Sequence, residues 1–164
     1  MKNIQVAIMM GSQSDLPVME EAVHVLEDFG VGYETKVLSA HRTPKETAAY
    51  AEGLRSRGVQ AVICGAGASA ALGGVVAAHT DIPVIGVPID STSLNGMDAL
   101  LSTVQMPPGV PVAAMAVGKA GAKNAALFAV RIMALRDAGL AKKLARFKED
   151  QRRKVLGTKL TDKR

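Results

Sequence analysis

A parallel five-stranded sheet covered by helices on both faces is the fold class this sequence predicts, and three observations predict it. Short apolar runs alternate with helical patterns five times along the chain. The runs end at loops beginning near Gly11, Ser39, Gly65, Pro88 and Gly118, at intervals close to the roughly 30 residues of one strand–helix–strand unit. The chain has 164 residues, a single-domain length that buries roughly 70% of the surface its unfolded form exposes. The loop sequences do not resemble one another, so the rhythm is architectural and not an internal repeat.

The elements follow in order. Ile4 to Met10 is apolar and bounded by Gly11, as expected of a strand buried on both faces. After Gly11-Ser12-Gln13-Ser14-Asp15, Leu16-Pro17 opens a helical pattern through Val18, Ala22, Val25, Leu26 and Phe29, stopped by Gly30. Tyr33 to Leu38 is the second strand. It delivers the chain to Ser39-Ala40-His41-Arg42-Thr43-Pro44, where Thr43 or Ser39 can cap and Pro44 can occupy the first turn of a helix. That helix turns Ala48, Ala51 and Leu54 inward and ends at Gly58. Gln60 to Cys64 is the third strand and runs into a Gly/Ala loop, Gly65 to Gly74, with an Ala/Val-rich helix continuing to about His79. Pro83 to Val87 is the fourth strand, ending at Pro88-Ile89-Asp90. A short helix over Met97 to Val104 and the turn Met106-Pro107-Pro108-Gly109 lead to a fifth strand, Val112 to Val117. Beyond Gly118-Lys119-Ala120-Gly121 a helix covers Lys123 to Arg136, and residues 138–164 form a helical extension of the 1–137 core.

Composition narrows the function. The one cysteine, Cys64, sits in an apolar run and reads as a buried, inert thiol in a reducing compartment. No charged leader precedes the first strand, and Ile4 to Met10 is too short for a signal core or a membrane span, so the expected location is cytoplasmic. The formal charge of +5 is concentrated in the tail, at Arg146, Lys148, Arg152, Arg153, Lys154, Lys159, Lys163 and Arg164. Glu149, Asp150 and Asp162 interrupt that run, and aromatic residues able to stack on bases are nearly absent. Neither a nucleic-acid nor a membrane partner is assigned.

In a parallel sheet all strand-to-helix loops leave at one edge, and ligands bind where the strand order reverses. With the order 2-1-3-4-5, the loops Gly11 to Asp15, Ser39 to Pro44 and Gly65 to Leu72 line one crevice. Gly11 permits a tight turn, and Ser12 offers a hydroxyl beside helix-start N–H groups, a place suited to phosphate. Asp15, which would repel phosphate, either caps the helix or accepts hydrogen bonds from sugar hydroxyls. Arg42 can grip a carboxylate or phosphate through paired hydrogen bonds, and histidine at 41 supplies a proton that comes and goes near neutrality. The third loop leaves its backbone bare to a flat ring.

Gly65-x-Gly67-x-x-Ala70, with Asp90 one unit later, imitates a dinucleotide fingerprint. It follows the third strand instead of opening the fold, and a nicotinamide or flavin oxidoreductase would leave His41 and Arg42 without a task. His24 and His79 lack a cluster at ligand spacing, and no metal site is expected. Lys119 and Lys123 read as a solvated helix start.

Six blocks together resemble the N5-carboxyaminoimidazole ribonucleotide mutase (PurE) family: Met10 to Asp15, Ser39 to Pro44, Gly65-Ala66-Gly67, Pro83 to Pro88, Val104 to Val112, and Lys123-Asn124-Ala125-Ala126. The resemblance spans about Ile4 to Arg136 in order. It implies a flavodoxin-like three-layer sandwich, a homo-octamer with active sites at subunit boundaries, and no cofactor or metal. The implied reaction moves a carboxylate from the exocyclic nitrogen of aminoimidazole ribonucleotide to ring carbon four, in de novo purine synthesis. By matching positions, His41 is the implied acid–base residue, and Ser12, Asp15 and Arg42 bind ribose and phosphate. Gly11, Ser39, Ala40, Gly67, Ala70 and Leu72 complete the candidate substrate-binding set. A second branch of the family carboxylates the aminoimidazole directly and usually carries lysine after the histidine, so Arg42 favours the mutase branch. One position departs: the family's usual histidine is Ala71 here, which leaves a ribonucleotide-binding protein without this activity as the competing reading.

Leu140, Leu144, Phe147, Gln151 and Val155 form a thin stripe on the charged tail. It could fold back on its own domain; a long charged helix with a narrow stripe favours clasping a neighbouring subunit.

Overall fold

The computed structural model describes residues 3–158; Met1 and Lys2, and Lys159, Asp162, Lys163 and Arg164 of the basic tail, lie outside them. Five parallel strands stand in the order β2-β1-β3-β4-β5: β1 (Val6–Met10), β2 (Tyr33–Val37), β3 (Ala61–Gly67), β4 (Val84–Ile89) and β5 (Ala113–Ala114). Between them run α1 (Leu16–Phe29), α2 (Pro44–Glu52), α3 (Leu72–Ala78) and α4 (Met97–Val104); α5 (Lys119–Ala134) and α6 (Ala138–Leu156) follow. This is the flavodoxin-like order the sequence predicts.

β1 is central because every residue in it is apolar and buried. It pairs with β2 on one side and β3 on the other, so the reversal of strand order falls between β1 and β3. Alternate side chains serve opposite layers. Ala7 and Met9 join Val62 and Cys64, with Ala51 and Leu54 from the α2 segment and Leu72 and Val76 of α3, in one cluster. On the other face Met10 is in register with Gly65, and Met19 of α1 occupies the space a Cβ on Gly65 would need. Lys119 and Lys123 of α5 both pair with Glu21 of α1, at 3.4 and 3.1 Å, so they are not merely solvated.

Four sequence expectations change. β3 continues three residues past Cys64, because Gly65, Ala66 and Gly67 stay in register with Val87, Pro88 and Ile89 of β4. The fingerprint-like glycines Gly65 and Gly67 are thus strand residues, and α3 begins at Leu72, inside the stretch expected to be loop. β5 is two residues long, not six. Met115 and Gly118 still donate to the carbonyls of Gly86 and Pro88, but Pro88 has no N–H to return on that side, and the ladder stops. α5 starts at Lys119, four residues early. Gly121 lies inside the helix, where an added Cβ would overlap the Ala116 carbonyl, so that glycine serves close packing instead of a turn. In α2 Thr47 is buried along with the expected Ala51, while Ala48 is only half-buried; the Thr47 hydroxyl donates to the Thr43 carbonyl at 2.8 Å, which permits its burial.

The chain divides into two compact units, one through Val130 and one from Arg131. In the second, the Asp137 carboxylate caps α6 by accepting from the N–H groups of Gly139 and Leu140, at 2.8 and 3.0 Å. Glu149 pairs with Arg152 and Arg153 along its surface. Leu140 is buried and Leu144 and Phe147 half-buried, whereas Val155 and Leu156 are exposed. Among the described residues no helix is long and apolar enough to cross a membrane.

Candidate active site

The loops after β1, β2, β3 and β4 surround a cleft of about 360 Å³ at the carboxyl edge of the sheet. Each wall segment has a local reason for its shape. Ser12 initiates a 3₁₀ turn, Gln13–Asp15: its hydroxyl accepts from the Ser14 N–H, and its own N–H donates to Asp15 Oδ2 at 3.0 Å. That reciprocal arrangement satisfies the donors at the turn. Asp15 stands at the N-terminus of α1 without a side-chain cap bond to that helix; its carboxylate closes the 3₁₀ turn instead. It is 6% exposed, and burial raises its carboxyl above the ordinary value, while hydrogen bonds from the Ser12 and Gly11 backbone and the nearby Arg42 charge pull it down.

The histidine loop is braced from within. Ser39 N–H donates to Thr43 Oγ1 at 2.9 Å, and that hydroxyl donates back to the Ser39 carbonyl at 3.1 Å. Ser39 Oγ accepts from the Arg42 backbone N–H at 3.2 Å. Both capping candidates thus hold the loop itself, and Pro44 occupies the first turn of α2. The bracing leaves His41 exposed on the cleft wall. Arg42 reaches across to the Gly11 carbonyl at 2.6 Å, tying the β2 loop to the β1 loop.

Every sequence-predicted site residue borders this one cleft: Gly11, Ser12 and Asp15 from the first loop, Ser39, Ala40, His41 and Arg42 from the second, and Gly67, Ala70 and Leu72 from the third. Ser14, Ala66, Ala68, Ala71 and Ser91 border it as well. Of these, Ser91 was not singled out in the sequence. The available signal was its place one residue beyond Asp90, at the end of a strand whose carboxyl edge was already known. Ala68 has φ of 51°, a conformation costly for a residue with a Cβ. His24 is exposed on α1, and His79 lies 3.0 Å from Glu52, a carboxylate that sequence spacing did not bring near it. No group of three or more His, Cys, Asp or Glu side chains among the described residues is placed to hold a metal ion.

The sequence model of the family described as AIR carboxylase matches residues 5–154. The chain belongs to the AIR carboxylase family. Relatives named N5-carboxyaminoimidazole ribonucleotide mutase include one from Saccharolobus solfataricus, 53% identical over 95% of this chain and 98% of its own length. One from Pyrococcus abyssi is 58% identical over 91% of this chain and 84% of its own. One from Bacillus subtilis is 52% identical over 92% and 93%. The crystal structure of Treponema denticola PurE aligns with a TM-score of 0.85 at 31% identity, over 93% of this chain and 94% of that one. One side of the cleft offers hydroxyls, a guanidinium and an imidazole, the other backbone and methyl groups with the Ser91 hydroxyl.

Proposed function

We propose that the protein is an N5-carboxyaminoimidazole ribonucleotide mutase, an isomerase of purine biosynthesis, as its relatives at 48 to 58% identity are named. The observation that carries the reading is the meeting of His41 and Arg42 with the Gly11–Asp15 and Gly67–Leu72 segments around one cleft. Arg42 binds the phosphate end, and Asp15 and Ser12 meet the ribose. Gly11, Ser39, Ala40, Gly67, Ala70 and Leu72 shape the space for the ring.

His41, on this reading, is the acid and then the base. Protonated, it donates to the carbamate nitrogen as the bond from nitrogen to the carboxylate carbon breaks. The bonding pair stays on nitrogen and carbon dioxide is released in the cleft. Ring carbon four attacks that carbon dioxide, forming the new carbon–carbon bond, and neutral His41 takes the proton from carbon four to restore aromaticity. The proton lent in the first step returns in the second, so no external acid, base or cofactor is consumed. Confinement replaces a dilute encounter of carbon dioxide with the ring by an intramolecular one.

The assembly belongs to the same proposal: a cytoplasmic homo-octamer in which α6 contacts a neighbouring subunit. Exposed apolar side chains support association, Met97, Leu101 and Val104 along α4 and Val155 and Leu156 at the end of α6. The deciding assay offers the carbamate ribonucleotide in one vessel and aminoimidazole ribonucleotide with carbon dioxide in another. Rapid isomerisation of the first, with little product from the second, is the mutase outcome. The opposite pattern means a direct carboxylase, and no product in either means a binding protein.

A further inference from the structure

The cleft has two unlike walls. The loops after β1 and β2 present charge and hydrogen-bonding groups, Asp15, His41 and Arg42 among them. The wall from β3 and β4 is bare: Ala66, Gly67, Ala68, Ala70, Ala71 and Leu72 carry no polar side-chain atom. Ser91 is the exception on that wall.

Two features fix where the Ser91 hydroxyl stands. The Ser91 N–H donates to the Ile89 carbonyl at 3.0 Å, which turns the chain sharply off the end of β4. Its side chain then lies over Gly67, and a Cβ added to Gly67 would overlap both Ser91 Oγ and Ser91 Cβ. The glycine and the serine occupy one space between them. The hydroxyl has no hydrogen-bond partner among the described residues, so its donor capacity is available to whatever enters.

A phosphorylated sugar is drawn to the charged wall, which leaves the flat base against the methyl wall. A carboxylate on that base loses water as it enters, and a desolvated anion without a donor is costly. One side chain on that side can donate. We infer that Ser91 is a specificity-determining residue whose hydroxyl holds the carboxylate on the imidazole, an inference that rests on the ribonucleotide reading of the site. Ala71 sharpens it, since the wall has no second side-chain donor to substitute.

The test compares the parent and Ser91→Ala by calorimetric titration with two probes, 4-carboxy-5-aminoimidazole ribonucleotide and 5-aminoimidazole ribonucleotide, which lacks the carboxylate. Ser91 is exposed, so the variant folds, and thermal unfolding verifies it. Loss of one hydrogen bond to a charged group should weaken binding of the carboxylated probe by about tenfold or more, with the other probe changed by less than about twofold. Equal effects on both probes, or no effect on either, overturn the assignment of Ser91 while leaving the ribonucleotide reading intact. A parent that binds neither probe overturns both.

Discussion

Arg42 donates from its guanidinium to the Gly11 carbonyl at 2.6 Å, joining two loops that are 31 residues apart in the chain. Because β1 and β2 are parallel neighbours, their loops leave the sheet side by side. A rigid planar donor can span them, its Nε donating to Ser39 Oγ at 3.4 Å in its own loop. The bond orients the residue that the proposed reaction needs for phosphate binding.

Arg42→Lys should therefore lose more than its conserved charge suggests. A lysine cannot hold Gly11 and an anion with the same fork. About 2 kcal/mol of nucleotide affinity should go, roughly a thirtyfold rise in Kd, with thermal stability nearly unchanged because the side chain is exposed. Calorimetric titration with the ribonucleotide measures it.

Ala68 sits in the cleft wall with φ of 51°. Replacing it by glycine relieves about 1–2 kcal/mol of backbone strain and gives back roughly 0.4–1 kcal/mol through the freer unfolded chain. Ala68→Gly should be neutral to slightly stabilising in urea unfolding. A marked loss of stability would mean that the alanine methyl makes a contact outweighing its strain.

Gly65→Ala should destabilise, because the added methyl meets Met19, which is fully buried beneath α1. Overpacking of this kind costs about 1–3 kcal/mol. Chemical denaturation should show it as a lower midpoint at unchanged slope.

Cys64 is 2% exposed, and burial pushes its thiol up to about 12. The thiolate is the reactive form. A thiol reagent at pH 8 should leave the folded protein untouched over the time in which the urea-unfolded chain reacts completely; rapid reaction of the native protein would contradict the buried placement.

Asp15 gives a pH signature. Its carboxyl is raised above the ordinary value of 3.8, chiefly by burial, so the folded state holds that proton to higher pH than the unfolded chain does. Its contribution to stability is full below the unfolded value and declines as pH rises through the folded one. Unfolding free energies of the parent and Asp15→Asn across acidic pH should differ by an amount that shifts against the parent over that window and then levels off.

Much of this was legible from the sequence, for identifiable reasons. Strands β1, β3 and β4 are apolar runs bounded by turn residues, and α1 is framed by Pro17 and Gly30, the latter at φ of 71°. The strand order then placed distant loops at one edge. What the sequence hid were glycines used for packing. Gly65 and Gly67 look like a loop yet lie in β3 because Met19 and Ser91 fill their Cβ positions. Gly121 looks like a turn yet lies within α5 against Ala116. The short β5 depends on which way the missing N–H of Pro88 points, a fact of register that composition does not carry. Ser91 was hidden for a similar reason: its importance comes from lying over Gly67, not from any local motif.

The most direct test of the central claim replaces His41 by Asn, which keeps size and hydrogen bonding but cannot shuttle a proton in the same range. With the carbamate ribonucleotide as substrate, turnover should fall by at least about a hundredfold while the ribonucleotide still binds. Turnover close to that of the parent would contradict the account.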